Sequence, residues 1–363
     1  MTTNIFKELK IGNLTARMPI IQGGMGIGVS LSGLAAAVAN EGGIGIIAAA
    51  GIGTPESDYS TNWFEANSRA LKREIAKARE LSKGIIGVNI MVALTDYAGL
   101  VRTAIAEKID IIFSGAGMPL DLPSYLHEGD QTKLVPIVSS ARAAGIICKK
   151  WLDKFNYLPD AIVVEGPMAG GHLGFKEEQL TDPNFSLEKL VTEVINTVKP
   201  YIDKYLKPIP VIAAGGIYTG ADIRRFLQLG AAGVQMATRF VTTLECDASI
   251  KFKQAYIDAK KEDIVIIKSP VGMPGRAIRS PFTESVSDGK KIPYHCSSHC
   301  LKTCDNVNSP YCITWALVSA KKGNFNHGFA FAGENAYRAT EIVTVKQVMD
   351  DLKTEYSTAS AVN

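Results

Sequence analysis

Eight short apolar runs, all before position 241, limit the fold of this chain more than any other feature. They are "MPIIQGG" (18–24), "GGIGIIAAA" (42–50), "GIIGVNIM" (84–91), "IDIIFSGAG" (109–117), "LVPIVSS" (134–140), "AIVVEG" (161–166), "IPVIAAGG" (209–216) and "AGVQMATRF" (232–240). Most are apolar at successive positions and do not alternate. That is the pattern of parallel strands buried on both faces. Helical stretches lie between them. "LSGLAAAVANE" follows the first run, and "NWFEANSRALKREIAKARELS" follows the second with its charge on one face. "DYAGLVRTAIAEK", "SARAAGIICKKWLDKF", "SLEKLVTEVINTVKPYIDKYL" and "GADIRRFLQLG" follow later runs. Strand and helix repeated eight times predict an α/β protein, a (β/α)8 TIM barrel. A doubly wound open sheet is the alternative that the same alternation allows.

The pattern changes after position 241. A short apolar run and a Gly/Pro loop, "DIVIIKSPVGMPGRAIRSPF", precede a cysteine-rich segment, and "GFAFAGENAYRATEIVTVKQVMDDL" ends in a helical pattern. The expected organisation is a barrel over residues 1–245, with a C-terminal extension over 246–363 packed against it. A barrel of about 250 residues plus such an extension accounts for all 363 residues.

Charge is nearly balanced at +3, with no Lys/Arg-rich block. Neither nucleic acid nor a membrane surface is therefore an expected partner. No apolar run reaches the roughly 18 residues of a membrane span. The first residues, "MTTNIFKELKIGN", lack the apolar core of a signal peptide. A cytoplasmic location is the expectation, with a small-molecule substrate as partner; a homodimer stays open.

In such barrels the active site lies at the C-terminal ends of the strands. Run seven ends in "AAGGIYTGADIRRFL", where Ala214, Gly215 and Gly216 let backbone approach a ligand. Run eight ends in "QMATRF", with Gln235, Met236, Ala237 and Thr238. Loops in these two places often bind phosphate; a plain turn is the simpler reading of either one alone. Run one ends in "IIQGGMG", which puts the Gln22 amide beside Gly23, Gly24 and Met25. Run three brings Asn89 to its mouth, and run four brings Ser114. Phosphate at one rim and amides at the opposite rim suit a long flat ligand such as flavin mononucleotide (FMN). Run six leads into "EGPMAGGHLGF". There Gly170 and Gly171 precede His172, and Glu165 stands at the strand end. A histidine near neutrality can move a proton or steady an anion; a loop histidine bonded to backbone is the alternative. Glu165 is either a second polar group in the pocket or a partner that orients the loop.

These motifs, taken in order, resemble the nitronate monooxygenase family, once called 2-nitropropane dioxygenases, which includes flavin-type enoyl-acyl-carrier-protein reductases. The resemblance rests on "PIIQGGMG", "GVNIM", "AGGHLG", "IPVIAAGGI", "GVQMATRF" and "SPVGMPGRAIR", and spans roughly residues 10 to 280 plus "GFAFAGENAYR". It implies a (β/α)8 barrel with noncovalent FMN. Gly23, Gly24, Met25, Asn89 and Gly171 would lie near the ring, Gly216 at the phosphate, and Gln235 to Thr238 around ribityl and phosphate. The family's catalytic histidine falls on His172, the base acting on a nitronate or the group beside an enoyl thioester. Barrels like inosine-monophosphate dehydrogenase need a nucleophilic cysteine after strand six, and "EGPMAGGHLGFKEEQLTDPNF" has none.

The reading that follows is an FMN-dependent oxidoreductase, a nitronate monooxygenase using dioxygen, with Gln22, Asn89 and Ser114 on the flavin face. An NAD(P)H-dependent flavin enoyl-acyl-carrier-protein reductase is the near alternative. A flavin-binding redox sensor or electron carrier is the alternative of another class. It is prompted by "HCSSHCLKTCDNVNSPYC", residues 295–312, in which Cys296, Cys300, Cys304 and Cys312 cluster. Four thiols in one loop are expected to hold an iron–sulfur cluster or zinc. On one helix, i, i+4 and i+8 would share a face, which equally describes buried apolar thiols.

Overall fold

The structure is a computed structural model that describes residues 6–305 and 307–359. It opens with a small antiparallel hairpin, β1 (Leu9–Ile11) and β2 (Leu14–Ala16). The barrel follows as β3 (Ile20–Gln22), α1 (Ser32–Asn40), β4 (Ile44–Ala48), α2 (Trp63–Leu81), β5 (Ile85–Met91), α3 (Tyr97–Ala106), β6 (Ile111–Gly115), β7 (Lys133–Val138), α4 (Ala141–Phe155) and β8 (Ile162–Glu165). After a short strand, β9 (Gly171–His172), come α5 (Leu187–Tyr205), β10 (Val211–Ala214), α6 (Gly220–Gln228), β11 (Gly233–Met236) and a short helical turn, α7 (Thr238–Val241). The parallel strands close in the order β10-β11-β3-β4-β5-β6-β7-β8. Each of the eight apolar runs supplies one barrel strand, and the open-sheet alternative is set aside.

Two apolar layers hold this shell. Ile21, Ile44, Ile46, Ile111, Phe113, Val135, Val163 and Ile212 fill the barrel interior, and Leu9 and Ile11 of the hairpin join them. The outward faces of the strands pack on the helices through residues such as Val88, Ile90, Ile112, Val164, Leu34, Ile75, Ile147 and Val194. Continuous apolar runs are what this two-sided burial requires. Close approach decides one position outright. A Cβ on Gly45 of β4 would sit 1.8 Å from the Ala35 carbonyl oxygen of α1, so only glycine lets that helix lie on the strand.

Beyond the barrel come α8 (Ile250–Asp258), β12 (Ile264–Lys268), β13 (Pro274–Ile278), α9 (Pro281–Ser287), α10 (Ile313–Lys321) and α11 (Val345–Thr358). β12, β13 and β9 form an antiparallel sheet in that order. Part of the region after the barrel thus pairs directly with the loop that leaves β8. No helix among the described residues is long and apolar enough to cross a membrane.

Candidate active site

At the C-terminal mouth of the barrel lies a cavity of about 560 Å3. Gly23, Gly24 and Met25 after β3, Asn89 on β5, and Glu165 at the end of β8 line it. Gly171 and His172 of β9, Ala214, Gly215 and Gly216 after β10, and Gln235 to Thr238 after β11 complete this wall. A Cβ on Gly24 would come within 2.5 Å of the Asn89 Cβ, so glycine there admits the Asn89 side chain. Gly215 and Gly216 both have positive φ, 95° and 81°, which turns the chain sharply after β10.

Two expected wall residues lie behind the wall. Ser114 is fully buried and bonds the other way, to the Tyr97 hydroxyl at 3.0 Å and the Ile90 carbonyl at 3.0 Å. Gln22 is fully buried as well. Its Oε1 accepts from the Ile46 N–H at 2.9 Å and its Nε2 donates to the Gly23 carbonyl. The amide is spent on joining β3 to β4 and shaping the glycine turn. Side chains in a strand alternate between faces, and the run alone does not say which face meets the cavity.

His172 is held from three sides. Its backbone pairs with Gly275 of β13, its Nε2 lies 2.8 Å from the Ser269 Oγ, and its ring meets Phe331 edge-on at 4.9 Å. Burial pushes its pKa down to about 4, so the ring is neutral at pH 7. Glu165 is the opposite case. It lines the cavity with no hydrogen bond or ion pair to its carboxyl among the described residues, and burial raises its pKa to about 7. An acid and a neutral base on the wall of one cavity are an arrangement that proton-transfer sites use.

Ser269, Met273, Phe331, Tyr256 and Asn335 complete the surroundings. Met273, Phe331 and Tyr256 line the cavity, and the Asn335 Nδ2 donates to the Gly216 carbonyl at 2.7 Å. Tyr256 stands on α8, and the others come from "SPVGMPGRAIR" and "GFAFAGENAYR", stretches whose glycines and prolines were the available signal. Nothing local in them says which residue reaches His172 from about a hundred positions away.

The described residues of the cysteine segment form no helix, so the shared-face expectation fails. Among the described residues no three His, Cys, Asp or Glu side chains are placed to hold a metal ion, and the expected cluster or zinc at Cys296, Cys300, Cys304 and Cys312 finds no support. The segment instead docks on the loop after β5. Leu301 bridges to Leu94, and the Thr95 N–H donates to the Cys300 carbonyl at 3.0 Å. Cys300 and Leu301 thereby join the cavity wall, together with Ile313 and Leu317 of α10. Burial raises the thiol pKa values of Cys300 and Cys312, the latter to about 11, so both are protonated near neutrality.

A family model described as nitronate monooxygenase matches residues 7–355. This chain belongs to the nitronate monooxygenase family. A probable nitronate monooxygenase of Staphylococcus aureus is 28% identical over 310 residues, 76% of this chain and 79% of that protein. A hydroxy-methyl-oxo-octahydroindene-carboxyl-CoA dehydrogenase of Mycobacterium tuberculosis is 28% identical over 273 residues, 75% of this chain and 66% of that one. Among solved structures, FabK from Thermotoga maritima superposes with a TM-score of 0.72 at 28% identity, covering 94% of this chain and 93% of that one. A nitroalkane oxidase from Streptomyces ansochromogenes shares the fold, with a TM-score of 0.70 at 22% identity over 94% and 96% of the two chains. As a member of the nitronate monooxygenase family the protein is an enzyme of the oxidoreductase type.

Proposed function

We propose that this protein is an FMN-dependent oxidoreductase that oxidises alkyl nitronates with dioxygen, with His172 as its base. The observation that carries the reading is a neutral histidine, held by Ser269 and Phe331, on the wall of a glycine-lined cavity. The cavity suits a flavin in its own terms. Its volume is in the range of cofactor sites. The Glu165 carboxyl has no partner among the described residues and is left for a ligand hydroxyl. A Cβ on Gly171 would meet nothing within 4 Å, so the chain leaves open space beside His172.

Gly23, Gly24, Met25, Asn89 and Gly171 would border the ring. Glu165 and Gln235 would meet the ribityl chain. Ala214, Gly215, Gly216, Met236, Ala237 and Thr238 would surround the phosphate. Bound flavin supplies the electron acceptor and the oxygen chemistry. The protein's part is to place a neutral imidazole against the substrate. Being uncharged at pH 7, His172 can take the proton from the carbon beside the nitro group of a neutral nitroalkane, which leaves the nitronate, or hold a nitronate already formed by a hydrogen bond.

The test is oxygen consumption with propionate-3-nitronate or alkyl nitronates and no pyridine nucleotide. Turnover supports the reading; its absence, with rapid flavin bleaching by NADH under anaerobic conditions, moves the assignment to an enoyl-thioester reductase. One observation favours that second reading. Leu94, Leu301, Ile313 and Leu317 extend the cavity with an apolar wall longer than a small nitronate needs.

A further inference from the structure

We propose that Arg276 is a positioning residue that fixes the turn between β8 and β9 and, through it, His172. The proposal rests on the reading of His172 as the acid–base group. Arg276 stands on β13, and its side chain is only 5% exposed. Its Nη1 donates to two carbonyls of the turn, Pro167 and Ala169, each at 2.6 Å. Its Nη2 meets the Glu334 carboxylate at 2.9 Å. One planar fork thus ties three points, a geometry an ammonium cannot reproduce.

The backbone around it runs to the same place. Arg276 pairs with Gly171 and Gly275 with His172, while the Leu173 N–H donates to the Pro274 carbonyl at 2.9 Å. On the far side the Ala332 N–H donates to the Arg276 carbonyl at 3.0 Å, and the Glu334 N–H to the Met168 carbonyl at 3.1 Å. β9 has only two residues and cannot hold a register alone. The guanidinium fixes the turn that delivers those two residues to β13. Without it, the carbonyls of Pro167 and Ala169 face a buried space with no donor, and the turn reorganises. His172 then shifts against Ser269 and the cavity.

The test compares full-length wild type, R276K and E334Q, labelled with 15N-histidine, with H172Q to assign the ring signals. In wild type the expected result is a His172 ring that titrates at about 4. In R276K the protein melts cooperatively, and the His172 titration moves up toward 6.5 as water reaches the ring. Its kcat for nitronate oxidation falls about tenfold, with KM within about twofold. E334Q, which keeps both carbonyl bonds, moves the same way by less. A His172 signal and titration unchanged in R276K, with only the melting temperature lowered, overturn the proposal. Should R276K not fold, an unchanged His172 in E334Q overturns it. If wild type turns over no nitronate while the His172 titration still moves in R276K, the nitronate reading fails and the positioning role stands.

Discussion

His172 and Glu165 share one cavity and are pushed in opposite directions by the same cause. Burial disfavours charge, so the imidazole loses its proton more readily and the carboxyl keeps its own. Replacing His172 by Ala should lower kcat/KM for a neutral nitroalkane by about 100-fold or more, with an unchanged far-ultraviolet spectrum; turnover within a factor of about two of wild type would rule the residue out as the base. The two groups also set opposing pH dependences of stability. His172, depressed from 6.5 to about 4, stabilises the fold fully above 6.5, and this is lost as pH falls toward 4. Glu165, raised from 4.5 to about 7, stabilises it fully below 4.5, and this is lost as pH rises through 7. Denaturant melts of E165Q should therefore show less loss of stability between pH 5 and 8 than wild type. Parallel curves would mean that Glu165 has a charged partner in solution. Both residues stand out in the sequence as polar groups beside an apolar run. Their pKa directions do not, because burial is a property of the assembled cavity.

At the level of elements, the β9–β13 pairing is the part that composition conceals. A two-residue strand carries no periodicity, and its partner lies about a hundred residues further on. Gly170 shows how tightly the pieces meet. A Cβ there would lie 2.6 Å from both the Ala332 carbonyl carbon and the Gly333 nitrogen, which are backbone atoms that cannot swing aside. G170A should cost about 1–3 kcal/mol in stability and weaken flavin binding, because the strand-six loop must lift. Thermal melts and flavin titration check this, and wild-type values for both would mean that the loop relaxes freely. The β1–β2 hairpin escapes sequence reading for a similar reason. Its strands are three residues long, and what marks them is the burial of Leu9 and Ile11 against the barrel interior. By contrast, α1 to α6 lie where their periodicity places them. Each helix owes its apolar stripe to the strand it covers.

At the scale of the whole molecule, barrel and later elements build one cavity. The barrel contributes strand ends and glycine turns, and the cysteine segment and α10 contribute an apolar wall. Anaerobically purified protein should show the two visible bands of a flavin. An added broad shoulder, with iron on metal analysis, would show that the four cysteines draw together around a cluster and rearrange the segment. The eight strands were legible because strands buried on both faces must be apolar throughout, and that demand is written locally in each run. The glycine turns and His172 were legible because barrel chemistry gathers at strand ends. Which way a side chain faces was not. Gln22 and Ser114 close onto their own neighbours instead of the cavity, since a change of strand face is invisible in a run that is apolar on both. The sequence by itself determined the barrel, its order and the histidine at its sixth exit. Only tertiary structure decided what holds that histidine, because Ser269 and Phe331 reach it, and Arg276 reaches the turn before it, through pairings far apart in the chain, and such contacts leave no local pattern.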